Sequence, residues 1–197
     1  MSVTATRLLG VTLLMSLLLP FTDKRDGKQY ATMEVNGQRW LKPNLSYAIP
    51  GKIDQVINDQ GAYYSREEAK VACPAGYRLM TLKDFNHLLI GMDGEENKLQ
   101  GKVVTKTVLE QYGFLLGGLS RGNGLAYEGQ IGFYWTANDT LKPHHKTPDA
   151  GDIKHYIAIH IYQAEDSSKF NIEPTYVPET ASAKRVNVNC KCVQNTD

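Results

Sequence analysis

The chain has 197 residues, 42% of them apolar, and a formal net charge of +1. That length bounds it to one domain with short appendages and supplies enough apolar side chains for a buried core. The near-neutral balance leaves no electrostatic footprint for nucleic acid or for an anionic membrane surface.

Leu8 to Phe21 is almost continuously apolar. It is too short for a comfortable membrane span of about twenty residues, and its length fits the core of an export signal. Only Arg7 and the amino terminus precede it, no A-x-A-like site follows, and no cysteine follows to receive a lipid. The alternative is a retained segment, either a signal anchor or an apolar strand buried against another subunit. Residues 1–22 are read as this apolar segment and 23–197 as the domain.

Asp26-Gly27 marks a turn. Tyr30 to Val35 alternates, Asn36-Gly37 supplies a two-residue hairpin turn, and Gln38 to Leu41 pairs back. Ala48 to Gln60, with Pro50-Gly51, reads as a loop. Gly61 to Leu89 then holds two short helices. Ser65 with Glu68 forms one capping box, and Thr81 with Asp84 repeats the pattern. Ala69 and Ala72 make a small-residue face on the first helix, and Cys73-Pro74-Ala75-Gly76 stops it, because proline cannot continue a helix. Tyr77 to Met80 is short and extended. Phe85, Leu88 and Leu89 recur at helical spacing in the second helix.

Gly91 to Lys102 is polar and reads as a solvated loop. Its Asp93, Glu95 and Glu96 lack the spacing of a calcium loop. Val103 to Gln111 is a short helix or strand. Ser120 to Leu125 turns, and Tyr127 to Thr136 alternates like strands. Leu141 to Asp152 is a loop tip with two prolines. Lys154 to Tyr162 is a strand with Ile157, Ile159 and Ile161 on one face. Tyr156, Ala158, His160 and Tyr162 form the other, either a second core layer or a binding surface. Ala164 to Ala183 reads as a long excursion. Lys184 to Gln194 is a terminal strand with Val186, Val188, Cys190 and Cys192 on one face.

Three cysteines, Cys73, Cys190 and Cys192, are too few for a structural zinc site. In an exported chain they imply one disulfide from Cys73 to the C-terminal pair and one thiol left over. Such a bridge closes a loop of more than a hundred residues, a contribution of roughly 4–5 kcal/mol in the chain-entropy picture.

The residues also carry a family resemblance. The run Asp26-Gly27-Lys28, Tyr30, Thr32, Gly37-Gln38, Trp40-Leu41, Asn44-Leu45 resembles the opening of the Fibrobacter succinogenes major paralogous (FISUMP) domain. So do Gly61, Tyr63-Tyr64 and Cys73-Pro74, Gly76-Tyr77-Arg78-Leu79, then Phe133-Tyr134-Trp135-Thr136, and the closing Lys191-Cys192-Val193-Gln194. Together these span about residues 23–197. That family is similar to the C-type-lectin-like group. The resemblance implies an α+β, C-type-lectin-like fold: two short helices, a twisted antiparallel sheet, chain ends joined as a hairpin, and a long irregular loop region used for binding. It implies export to the surface of a Bacteroidota-type bacterium, in some members as a lipoprotein or pilus component. Its closing motif selects Cys192 as the partner of Cys73. Tyr77 stands where the family usually has Trp, Met80-Thr81 replaces Pro-Ser/Thr, Lys191 replaces Arg, and Cys190 is extra.

Gly118-Leu119-Ser120-Arg121-Gly122 has the G-x-S-x-G spacing, but it runs into the turn at Ser120 to Leu125 and not into a helix, so it is not read as a nucleophile elbow. Cys190 and Cys192 resemble the paired cysteines of formylglycine-generating enzymes, but they lie in a closing strand expected to be structural. Glu173-Pro174-Thr175 and Trp135 to Asp139 have the flavour of a calcium-dependent sugar site in the wrong order. His144-His145 lie in a loop tip, and His155 and His160 fall on opposite strand faces. The expectation is no catalysis, no metal and no cofactor. Recognition is assigned to the loops Gly117–Tyr127, Asn138–Asp152 and Gln163–Ala183, with Tyr127, Asn138, Tyr162, Phe170 and Tyr176 as the contact surface. The expected function is an exported cell-surface or extracellular binding or adhesion domain that takes a protein or glycan. The alternative is a pilus or filament subunit that contacts identical subunits through residues 8–21. No nucleic acid is expected, and the membrane is met only in transit through the apolar segment.

Overall fold

A computed structural model describes residues 19–97, 100–122, 124–143, 152–180 and 182–195. Most of the apolar segment and His144-His145 lie outside them. The fold is α+β, with many strands and, among the described residues, three short α-helices. No helix among the described residues is long and apolar enough to cross a membrane.

Local chemistry explains the first elements. Phe21–Thr22 pairs with Gln29–Tyr30 around the Asp26-Gly27 turn, and Phe21 meets the Tyr77 ring edge-on at 4.7 Å. Thr32–Val35 and Gln38–Leu41 form a hairpin whose turn residues Asn36 and Gly37 take φ of 50° and 76°. Two successive left-handed residues match the twist of the flanking strands. Helix α1 (Arg66–Ala72) and helix α2 (Leu82–Gly91) both begin with complete capping boxes, Ser65 with Glu68 and Thr81 with Asp84. Ala69 and Ala72 are buried, as their spacing requires. Lys102–Thr105 is a strand and runs straight into helix α3 (Lys106–Gln111), so that stretch holds both alternatives in succession.

The largest sheet has six strands in the order Asn189–Cys190, Gly132–Pro143, Asp152–Gln163, Lys169–Pro178, Lys102–Thr105, Glu95–Glu96. A second sheet of four places Cys192–Gln194 between Gln38–Leu41 and Tyr77–Leu79, so the last strand lies beside the first hairpin, Val193 opposite Trp40. Each face of the six-stranded sheet carries its own core. Trp135, Tyr156 and Ala158 pack with Ala69 and Ala72 of α1, while Tyr134, Ile159, Ile161 and Ile172 pack with Phe85, Leu88 and Leu89 of α2. The Cys73–Cys192 disulfide joins the end of α1 to the last strand, with Cα atoms 5.8 Å apart.

Several expectations are corrected. The end of the supposed loop Ala48–Gln60 enters a ladder, Ile57–Asn58 against Gly61–Ala62. Glu95–Glu96 is an edge strand, and Gly117–Tyr127 contains a tight hairpin, Leu119–Arg121 against Gly124–Ala126. The excursion after Gln163 is mostly the ten-residue strand Lys169–Pro178. The Lys102–Thr105 strand pairs only as far as Ile172, so Pro174 and Pro178 fall where that edge has no partner to lose. The C-terminal stretch is no single strand either. Val186–Asn187 pairs with Ser120–Arg121, Val188 bridges Tyr64, Asn189–Cys190 joins the large sheet, and Cys192–Gln194 joins the small one.

Candidate functional site

The five residues expected to form a contact surface do not share one. Asn138 lies at a bulge between Trp135 and Asp139, where its side-chain oxygen accepts from the Leu82 backbone N–H at 2.7 Å. It caps α2. Tyr127 is 57% exposed in a turn with φ 62°. Phe170 packs toward the α2-side core, and Tyr176, on the same side of its strand, lies with its ring under the Lys142 ammonium at 3.0 Å. Tyr162 alternates with these to the opposite face.

On that opposite face the sheet builds an aromatic ladder. Phe133 lies across from His160, with ring centroids 4.4 Å apart and planes 23° apart. Tyr162, two residues further along the same strand, stacks on His160 at 4.6 Å and 30°. Glu173 sits opposite His160, accepts from the Tyr162 hydroxyl at 2.9 Å, and accepts from the Asn97 amide at 3.1 Å. The three rings are only partly buried, while Trp135, Tyr156 and Ala158 further along the same face are covered with α1. The alternating face Tyr156, Ala158, His160, Tyr162 is therefore half core and half surface.

Burial pushes the His160 imidazole below its ordinary value, against the opposing pull of Glu173, so the ring is neutral at pH 7. Burial raises the Tyr162 hydroxyl, and the Glu173 hydrogen bond adds to it. The ladder presents uncharged rings whose order is held by stacking and by one anchored carboxylate. Only the two end rings, Phe133 and Tyr162, keep a face outside the stack. Alternation marks His160 and Tyr162 in the sequence, but Phe133 and Glu173 join them only through cross-strand register.

The cysteines form a second cluster. The sulfurs of Cys73, Cys190 and Cys192 lie within 4.8 Å of one another, and Cys190 is free and fully buried. Burial raises its thiol to about 12, the reverse of what activates a nucleophilic cysteine. Between the two terminal cysteines, Lys191 is also fully buried. Its ammonium donates to the carbonyls of Lys42 and Gly113 and lies 5.1 Å from the Phe114 ring centroid. This cluster ties structure together.

His155 is buried, with its Nδ1 near the Ile153 carbonyl at 3.1 Å, and shares no face with His160. Glu95 pairs with Lys169 at 2.9 Å. Among the described residues, the three cysteines are the one grouping of potential metal ligands, and two of them are spent in the disulfide. No family model, no curated protein and no solved structure matches the chain.

Proposed function

We propose that the chain is an exported recognition domain of the FISUMP type on a C-type-lectin-like scaffold, which holds a protein or glycan at the bacterial surface and performs no catalysis. The observation that carries this reading is the Phe133–His160–Tyr162 ladder on the uncovered half of a sheet face. Aromatic rings bring large contact area, and rings already locked against each other lose little side-chain entropy when a ligand arrives. The scaffold assignment is supported by two capped helices around a Cys-Pro turn, a last strand beside the first hairpin, and a disulfide from α1 to that strand. A disulfide is also compatible with an oxidising compartment.

The test compares wild-type protein with the Phe133→Ala/His160→Ala double variant, each presented to immobilised neutral and acidic polysaccharides and to intact bacterial surfaces. Binding by the wild type that falls at least about tenfold in a variant of unchanged melting profile supports the reading. Retention of full binding by the double variant removes the ladder as the site.

A further inference from the structure

Arg66 opens α1, and only 3% of its surface is exposed. Its Nε and Nη1 are buried without an acceptor among the described residues, and Nη2 makes one long bond, 3.4 Å, to the Asn138 carbonyl. The guanidinium carbon lies 5.5 Å from the Tyr156 ring centroid. Burial lowers the Arg66 pKa, yet a guanidinium keeps its proton at any ordinary pH, so the charge stays. The nearby carboxylates are committed elsewhere: Glu67 to Lys70 at 3.0 Å, Asp139 to Lys154 at 2.9 Å, and Glu179 to Lys184 at 3.4 Å.

An uncompensated buried charge costs several kcal/mol. Here it forms part of the wall of a cavity of about 300 Å³, together with Ser65, Glu67, Tyr156, Glu179 and Lys184. That volume is at the lower end of the range for small-molecule sites, roughly 300–1,000 Å³. The wall carries both signs. Arg66 and Lys184 can donate to an oxyanion, while Glu67 and Glu179 can accept from hydroxyls. A bare anion would face two carboxylates, and a neutral sugar would leave the guanidinium unmatched. A ring bearing one carboxylate and several hydroxyls satisfies both sides.

We propose that this cavity binds one acidic sugar of the uronic-acid type. Its carboxylate takes the unsatisfied edge of Arg66 and the Lys184 ammonium, and its hydroxyls donate to Glu67 and Glu179. The weak Asn138 bond leaves the guanidinium free to turn toward the incoming carboxylate. The proposal rests on the recognition reading for the ligand being a glycan, and names a site separate from the aromatic ladder.

Calorimetric titration of the full chain with sodium glucuronate, glucose and sodium acetate tests it. The expected result is saturable glucuronate binding, with glucose and acetate each weaker by at least about tenfold. Arg66→Gln should lose at least about tenfold. Lys184→Ala, on a largely exposed side chain, should lose a few-fold without touching the fold, which keeps the test valid if Arg66→Gln fails to fold. The Phe133→Ala/His160→Ala variant should bind glucuronate as the wild type does. Absence of glucuronate binding up to about 10 mM, acetate binding as tight as glucuronate, or unchanged affinity in Lys184→Ala together with Arg66→Gln overturns the proposal. If neutral polysaccharides still bind and need the ladder, the recognition reading survives that failure.

Discussion

Cys190 and Cys192 are separated by one residue and belong to different sheets. Cys190 pairs with Trp135 in the six-stranded sheet, and Cys192 pairs with Leu79 in the four-stranded one. The chain changes sheet at Lys191, whose ammonium is turned onto the carbonyls of Lys42 and Gly113. The disulfide therefore holds the small sheet to the end of α1, while Cys190 keeps its place by burial and by its strand pairing with Trp135.

The two cysteines should respond differently to substitution. Cys192→Ser opens a loop of 119 residues and should cost about 4–5 kcal/mol in urea unfolding. Cys190→Ser places a hydroxyl in an apolar site and should cost about 1–3 kcal/mol while the disulfide persists. Peptide mapping without reductant checks the pairing: a Cys73–Cys190 bond in the wild type would contradict it.

Burial pushes the Lys191 ammonium down from its ordinary value of 10.5 to about 7. The folded pKa is the lower one, so across that window the unfolded chain holds a proton that the folded chain lacks. The Lys191 contribution to stability should rise with pH from about 7 to 10.5, with a slope of up to about 1.4 kcal/mol per pH unit. Lys191→Met should remove that slope, read as the difference between variant and wild type so that the titrating tyrosines and the Cys190 thiol, whose contribution to stability falls above about pH 9, cancel.

Asp84 has the opposite sign. Burial alone would raise its carboxyl, but hydrogen bonds from Arg78, Thr81 and Gln38 outweigh burial and hold it well below the usual carboxylate range. Its contribution is complete above the ordinary value of 3.8 and drains away as pH falls below it. Asp84→Asn should cost about 2–3 kcal/mol at neutral pH and flatten the acid limb of the unfolding curve.

Glycine is required at 113 for space as well as conformation. Its φ is +68°, and a Cβ there would lie 1.7 Å from the Lys42 carbonyl oxygen and 2.9 Å from the Lys191 ammonium. Gly113→Ala should cost more than about 3 kcal/mol. Gly122 has a similar φ of +63° with nothing near its missing Cβ, so Gly122→Ala should cost only about 1 kcal/mol. Thermal melting of the pair separates conformational strain from steric conflict.

The features legible in the residues alone lie within a few positions of their signals. The capping boxes at Ser65 and Thr81, the Asn36-Gly37 turn and the proline stop after Cys73 are local competitions between backbone partners, which neighbouring side chains settle. The alternation from Lys154 to Tyr162 announces a strand for the same reason. The family resemblance picked Cys192 over Cys190, where period-two spacing alone left both on one face.

Everything that depends on which distant strand lies alongside was settled by long-range packing. Pro174 and Pro178 fit a strand because the neighbouring ladder stops at Ile172. Asn138 became a helix cap because a bulge carries it to Leu82. Phe133, His160 and Glu173, from three separate strands, share one patch because register sets them opposite each other. Arg66 is buried without a counter-charge among the described residues because the carboxylates around it are held by other cations. Each of these is set by cross-strand pairing and long-range packing, and neither leaves a periodic trace along the chain.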